Sequence, residues 1–178
     1  MPVHGFCGLP GAGKTYTAVK HVRKLALHYK KPIFSNVELH FPEKSIEVHV
    51  MDDLDDFLKA KDGIVLLDEL GTWMPSRLYT KTKADLLMRW AQVRKYQLYE
   101  ILWTAQTVAR VDTVVRELTW DLLDMESFRM LGFFFGRKYA GAMSNRQKIG
   151  VEFHWVDKKV YGWYDTMAIV KPPSNLSS

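Results

Sequence analysis

The sequence predicts an α/β fold, a mainly parallel central sheet flanked by helices, with a C-terminal antiparallel β extension. Three stretches carry that expectation. Gly8-Leu9-Pro10-Gly11-Ala12-Gly13-Lys14-Thr15 matches the phosphate-binding pattern G-x-x-x-x-G-K-[ST] at every fixed position. Gly63-Ile64-Val65-Leu66-Leu67-Asp68-Glu69 sets a run of large apolar residues before two acids. That is the texture of a strand buried on both faces, with the acids at the end where open α/β sheets bind ligands. From Phe128 the chain turns aromatic and β-rich, in runs separated by turns.

Taken in order, Val3 to Cys7 reads as a short buried strand and Thr15 to Tyr29 as a helix. The glycine-rich loop thus lies between the two elements it needs, and the positive helix end faces the phosphates. Gly8, Gly11 and Gly13 stand where a Cβ would obstruct a nest of backbone N–H groups. Lys14 is suited to reach the β- and γ-phosphates of ATP, and the Thr15 hydroxyl to ligate Mg²⁺. The candidate nucleotide contacts are Gly8, Pro10, Gly11, Ala12, Gly13, Lys14, Thr15 and Tyr16.

Pro32 breaks the chain, Ile33 to Leu39 reads as a second strand, and Asn36 is a turn or nucleotide-side residue. Ile46 to Val50 alternates as a third strand. The aspartates at 52, 53, 55 and 56 read as an acidic helix start rather than a metal site. In the next strand, Asp68 is the candidate to hold Mg²⁺ through water and Glu69 to polarise the attacking water. Thr82-Lys83-Ala84-Asp85 resembles a capping box for a helix to about Tyr96. Tyr99 to Thr104 is a further strand, and Gln106 just beyond it is placed to sense the γ-phosphate or the water. Val108 to Arg116 reads as a loop, Glu117 to Asp124 as a short helix, and the runs 128–135, 151–156 and 160–164 as strands of an extension spanning 127–166. Residues 1–170 are expected to form one domain and 171–178 a flexible tail.

Composition narrows the classes. A chain of 178 residues with 47% hydrophobic content buries a real core and excludes a disordered protein. It contains no apolar run long enough for a membrane span and no signal-peptide pattern, so a cytoplasmic location is expected. A single cysteine, Cys7, forbids an internal disulfide and is expected to be buried. The six histidines show no metal-ligand spacing, so no structural metal is expected. The net charge of +5 comes from residues beyond 70. Arg77, Lys81 and Lys83, or Arg137, Lys138, Arg146 and Lys148 in the acid-free segment 137–148, either contact a polyanion or are solvated cations.

Together with these motifs, Met74-Pro75-Ser76-Arg77, Arg94-Lys95-Tyr96, Trp103-Thr104-Ala105-Gln106, Val111-Asp112, Val115-Arg116 and Tyr161-Gly162-Trp163-Tyr164-Asp165-Thr166 carry a likeness. The chain resembles the zonular-occludens-toxin-like (Zot-like) ATPases of filamentous phages, a branch of the HerA/FtsK superfamily that includes viral genome-packaging ATPases. The resemblance implies a RecA-like P-loop NTPase fold of the ASCE division, assembled as a homo-hexameric ring that moves DNA with ATP and Mg²⁺. It implies sequence-independent contacts to the DNA backbone and a capsid or membrane protein anchoring the ring at the packaging vertex. The place of action would be the cytoplasm of an infected host, or the virion. It also implies an arginine finger reaching the neighbouring site, with Arg94 the first candidate and Arg89 and Arg77 in reserve. The filamentous-phage proteins continue into a membrane span and a further domain, which this sequence does not contain. The chain is then either an ATPase fragment or a soluble packaging motor, with genome packaging the first expectation and phage extrusion the second. A small-molecule kinase is the rival from another class, although a kinase has no use for a water-activating Glu69. A nucleotide-gated scaffold is the third reading.

Overall fold

The computed structural model describes residues 2–74, 88, 90, 95, 97–128, 132–141, 146–167 and 170–173. An eight-stranded sheet forms its spine. In chain order the elements are β1 (Val3–Cys7), α1 (Lys14–Tyr29), β2 (Ile33–Ser35), β3 (Val48–Val50), α2 (Leu54–Lys59), β4 (Ile64–Leu67), α3 (Leu70–Trp73) and β5 (Glu100–Ala105). Then come α4 (Thr113–Leu118), β6 (Asp121–Phe128), β7 (Phe133–Ala140) and β8 (Gln147–Trp155). The spatial order is β3-β2-β4-β5-β1-β6-β7-β8. All pairs from β3 to β6 are parallel, and β7 and β8 add antiparallel. This is the fold class the sequence predicts.

The parallel half is buried on both faces. Every residue of β4 and of β5 is buried. On one face α1 lays Ala18, Val19, Val22, Leu25 and Ala26 against Phe6, Ile64, Leu66 and Leu102. That spacing is one stripe of a 3.6-residue helix. On the other face Leu54, Phe57, Leu70, Trp73 and Trp90 cover Val65, Leu67, Ile101 and Trp103. Each large side chain fully withdrawn from water there contributes about 1.5–3 kcal/mol.

The four aspartates resolve as a helix start. Asp53 caps α2, its side chain accepting from Asp56 N at 2.9 Å, while Asp56 Oδ2 accepts from Asp52 N at 3.0 Å and Asp53 N at 3.4 Å. Cys7 is buried, and burial pushes its thiol up to about 12, so it is an inert small hydrophobe.

Several elements differ from expectation. The regular part of the second strand ends at Ser35, and Leu39 instead bridges to Tyr164. The loop and helix expected over 108–124 are a 3₁₀ turn at Val108–Arg110 and a helix at Thr113–Leu118. Asp112 starts that helix by accepting from Val114 N at 2.9 Å. Asp121 to Asp124, read as helical, are strand because His4 to Cys7 of β1 offer them a parallel edge. Of the run 160–164, read as a strand, residues 160–162 lie in a 3₁₀ helix at Lys158–Gly162 whose cap is Asp157, and Tyr164 bridges to Leu39. Val170 packs on the core and Pro173 is buried, so the tail is held to the body that far. The helix expected over 82–96 lies mostly outside the described residues. Among the described residues no helix is long and apolar enough to cross a membrane.

Candidate nucleotide site

The glycine-rich loop leaves β1 at its C-terminal end and enters α1. Gly8, Gly11 and Gly13 have φ of 144°, 77° and 89°, where a side chain is strained. Two of them are also fixed by contact. A Cβ on Gly8 would lie 2.4 Å from the Met125 carbonyl oxygen, and one on Gly13 would lie 2.4 Å from the Phe134 ring. The loop is therefore clamped against β6 and β7.

Lys14 is buried, its Nζ donating to Leu9 O at 3.3 Å and lying 3.8 Å from Glu69 Oε1. Thr15 Oγ1 donates to Asp68 Oδ1 at 2.8 Å. The loop from β1 and the acids from β4 thus meet across β5, which lies between the two strands. This donor set fits Mg²⁺ beside a polyphosphate: a hydroxyl and a carboxylate in contact, with a lysine and a glycine-lined nest alongside.

Asp68 is held at its carboxylate and at its backbone. Thr104 Oγ1 donates to its Oδ1 at 2.7 Å and accepts from Glu69 N at 2.9 Å. Asn36 Oδ1 accepts from Asp68 N at 2.7 Å, and Asn36 Nδ2 donates to Asp68 O at 2.9 Å. Burial raises the Asp68 pKa, opposed by the Thr104 and Thr15 hydrogen bonds and by the charge of Lys14. Glu69 is also raised, first by burial and then by Asp68, against Lys14 and Arg110. Its backbone sits at φ 46°, left-handed for a residue with a side chain.

The cleft over the loop, about 480 Å³, joins Gly11, Gly13, Lys14 and Thr15 to Gly132, Phe133, Val156, Tyr161, Tyr164, Thr166 and Met167. Half of this wall comes from the extension, and sequence reasoning assigned it no ligand role. The signal available was the aromatic run Tyr161 to Tyr164 itself. Tyr16 also fastens the helix to the extension. Its hydroxyl donates to Trp155 O at 3.1 Å and accepts from Asp157 N at 2.7 Å, riveting α1 to the end of β8.

Gln106 does not line this cleft. It is exposed after β5, its Oε1 accepts from Arg110 Nη1 at 3.4 Å, and it borders a second cleft of about 420 Å³ with Cys7, Gly8, Asp124, Tyr139 and Arg146. Arg77, Arg89 and Arg94 lie outside the described residues, as do Lys81 and Lys83. Segment 137–148 is only superficially acid-free. Arg137 Nη1 lies 2.6 Å from Glu126 Oε1, and Lys138 Nζ lies 3.0 Å from Glu152 and 3.3 Å from Asp121. Arg146 donates to Gly141 O and Arg116 O. Lys148 is exposed.

Fold and loop together define a P-loop NTPase of the RecA-like class. Residues 3–170 match the zonular occludens toxin (Zot) family, and the chain belongs to that family. The Gene 1 proteins of Enterobacteria phage I2-2 and Salmonella phage IKe are each 24% identical over 138 residues, covering 66% of this chain and 38% of theirs. The chain thus spans well under half the length of the curated relatives it matches. The crystal structure of the N-terminal domain of zonular occludens toxin from Neisseria meningitidis superposes with a TM-score of 0.66 at 18% identity, covering 92% of this chain and 98% of that one. The genome packaging NTPase B204 from Sulfolobus turreted icosahedral virus 2, in complex with ATP-gammaS, gives 0.55 at 14% identity over 86% of this chain and 96% of that one.

Proposed function

We propose that this chain is a Mg²⁺-dependent ATPase that drives DNA movement for a phage or virus, in the first instance genome packaging into a capsid. The observation that carries the reading is the convergence of Lys14, Thr15, Asp68 and Glu69 at the C-terminal ends of β1 and β4, across β5. Bound ATP supplies the phosphoanhydride whose hydrolysis powers movement, and Mg²⁺ neutralises its charge. Gly8 to Thr15 would hold the phosphates, with Thr15 and Asp68 on the metal side. Tyr161, Tyr164 and Phe133 offer π faces on the base side of the cleft. Glu69, not a metal ligand here, accepts a proton from the attacking water, while Gln106, which borders the second cleft, takes no part in that step. Arg94 of a neighbouring copy in a hexameric ring would steady the developing charge.

A raised Glu69 loses its basic form at a higher pH than an ordinary glutamate, so the acid limb of turnover should lie above the usual carboxylate range. The DNA contact would be to the phosphate backbone. The three basic residues of 137–148 with internal partners weaken that segment as the contact surface. A capsid or membrane anchor, and a place in the infected cytoplasm or the virion, belong to the same reading.

A second reading, an assembly ATPase for phage extrusion, is favoured by the Zot family match and by the phage Gene 1 relatives. The test is ATP hydrolysis with and without double- and single-stranded DNA, with Glu69→Gln, Arg94→Ala and a light-scattering mass. Packaging expects stimulation by double-stranded DNA and a ring-sized mass. Turnover should fall about 10²–10⁴-fold in Glu69→Gln. Stimulation by single strands alone moves the assignment to extrusion, and undiminished turnover in Glu69→Gln overturns the hydrolytic role.

A further inference from the structure

At the end of the sheet opposite the phosphate loop, a half-buried polar cluster has no part in the nucleotide chemistry. His4 of β1 lies between Asp121, which opens β6, and Glu100, which opens β5. Its Nδ1 is 2.5 Å from Asp121 Oδ1 and its Nε2 is 2.8 Å from Glu100 Oε2. The His21 ring from α1 stands over them, 5.3 Å from the His4 ring centre. The ligand atoms of His4, His21 and Glu100 all lie within 4.8 Å of one another.

We propose that His4, His21 and Glu100 form a binding site for a divalent transition ion of the zinc type, with water completing the shell. Two imidazoles and a carboxylate are a known zinc donor set, and bonds of about 2.0–2.1 Å put tetrahedral ligands about 3.3 Å apart. Reaching that spacing requires a small parting of His4 from Glu100 and a turn of the His21 ring.

The outer shell is already in place. Metal-bound histidines characteristically donate their other ring nitrogen to a carboxylate, the relation His4 Nδ1 has to Asp121. The second oxygen of Glu100 accepts from the Tyr29 hydroxyl at 3.0 Å, which fixes the carboxylate's orientation. Asp121 is further held by Lys138, 3.3 Å away.

His21 separates this reading from a purely structural ion pair. His4 and its two carboxylates would satisfy one another without it. The His21 side chain makes no hydrogen bond among the described residues, although its ring stands over His4 with its ligand atom within 4.8 Å of those of His4 and Glu100. The expectation of no structural metal rested on sequence spacing, and spacing could not register ligands drawn from β1, α1 and β5. A metal here would bolt α1, the helix that begins with Lys14 and Thr15, to the two strands beneath it.

The test uses the untagged full chain, stripped with a chelator and then titrated with Co²⁺ and Zn²⁺. One equivalent of Co²⁺ should give the visible absorption of a tetrahedral nitrogen–oxygen site, and Zn²⁺ should displace it and raise the melting temperature. His21→Gln, which removes no hydrogen bond among the described residues, should abolish the band, and Asp121→Asn should weaken uptake about 10–100-fold. Asp68→Asn should leave the band intact, which separates this centre from the nucleotide side. Absence of a stoichiometric band in the native chain, uptake undiminished in His21→Gln, or loss of the band in Asp68→Asn would each overturn the proposal.

Discussion

The two halves of the sheet solve the burial problem differently. In β4 and β5 both faces are covered, and the strands read as unbroken apolar runs. In β8 exposed residues alternate with partly buried ones. Val151, Phe153 and Trp155, at 44%, 57% and 68% exposure, stand on the face turned away from α1. The parallel half supplies Lys14, Thr15, Asp68 and Glu69. The antiparallel half supplies the aromatic wall and the Phe134 ring against Gly13. Chemistry and enclosure are thus divided between two kinds of sheet, and the division can be probed at their seam.

Phe134→Ala should have the largest effect of the stability changes. It removes a buried ring packed on Tyr16, 5.1 Å between centres, and under Gly13, so a loss of about 3–5 kcal/mol is expected in denaturant unfolding. A loss under about 1 kcal/mol would mean that the halves are not locked at that ring. Tyr16→Phe keeps the ring but deletes the rivet to Trp155 and Asp157, and should cost about 1–3 kcal/mol in the same experiment. Unchanged stability there would place the lock in packing alone. Val151→Thr, on the outer face, should change stability by no more than about 0.5 kcal/mol. A large loss would show that this face is covered in solution and would erase the contrast.

Much of the first half was legible in the sequence because its signals are local. Eight consecutive residues specify the phosphate loop, and Ile64 to Glu69 carry burial and chemistry in one run. What was missed depends on partners far along the chain. Asp121 to Asp124 are strand only because β1 offers an edge, and helix propensity could not register that. Segment 137–148 contains no acid, yet antiparallel pairing sets Arg137 opposite Asp124 and Lys138 beside Asp121 and Glu152. A charge count along the chain overstates its positive surface. Thr104 and Asn36, which hold Asp68, are ordinary strand-end residues in sequence, and their role exists only once β2, β4 and β5 lie side by side.

The left-handed backbone of Glu69 has one more consequence. An L-residue in that region carries on the order of 1–3 kcal/mol of strain that glycine would not. The sequence of greatest stability for this backbone is therefore not the one the protein has. At the position where the carboxylate meets Lys14, a glycine would relieve the backbone and remove the charge that faces the lysine, so robustness gained there would cost the ion pair of the candidate site.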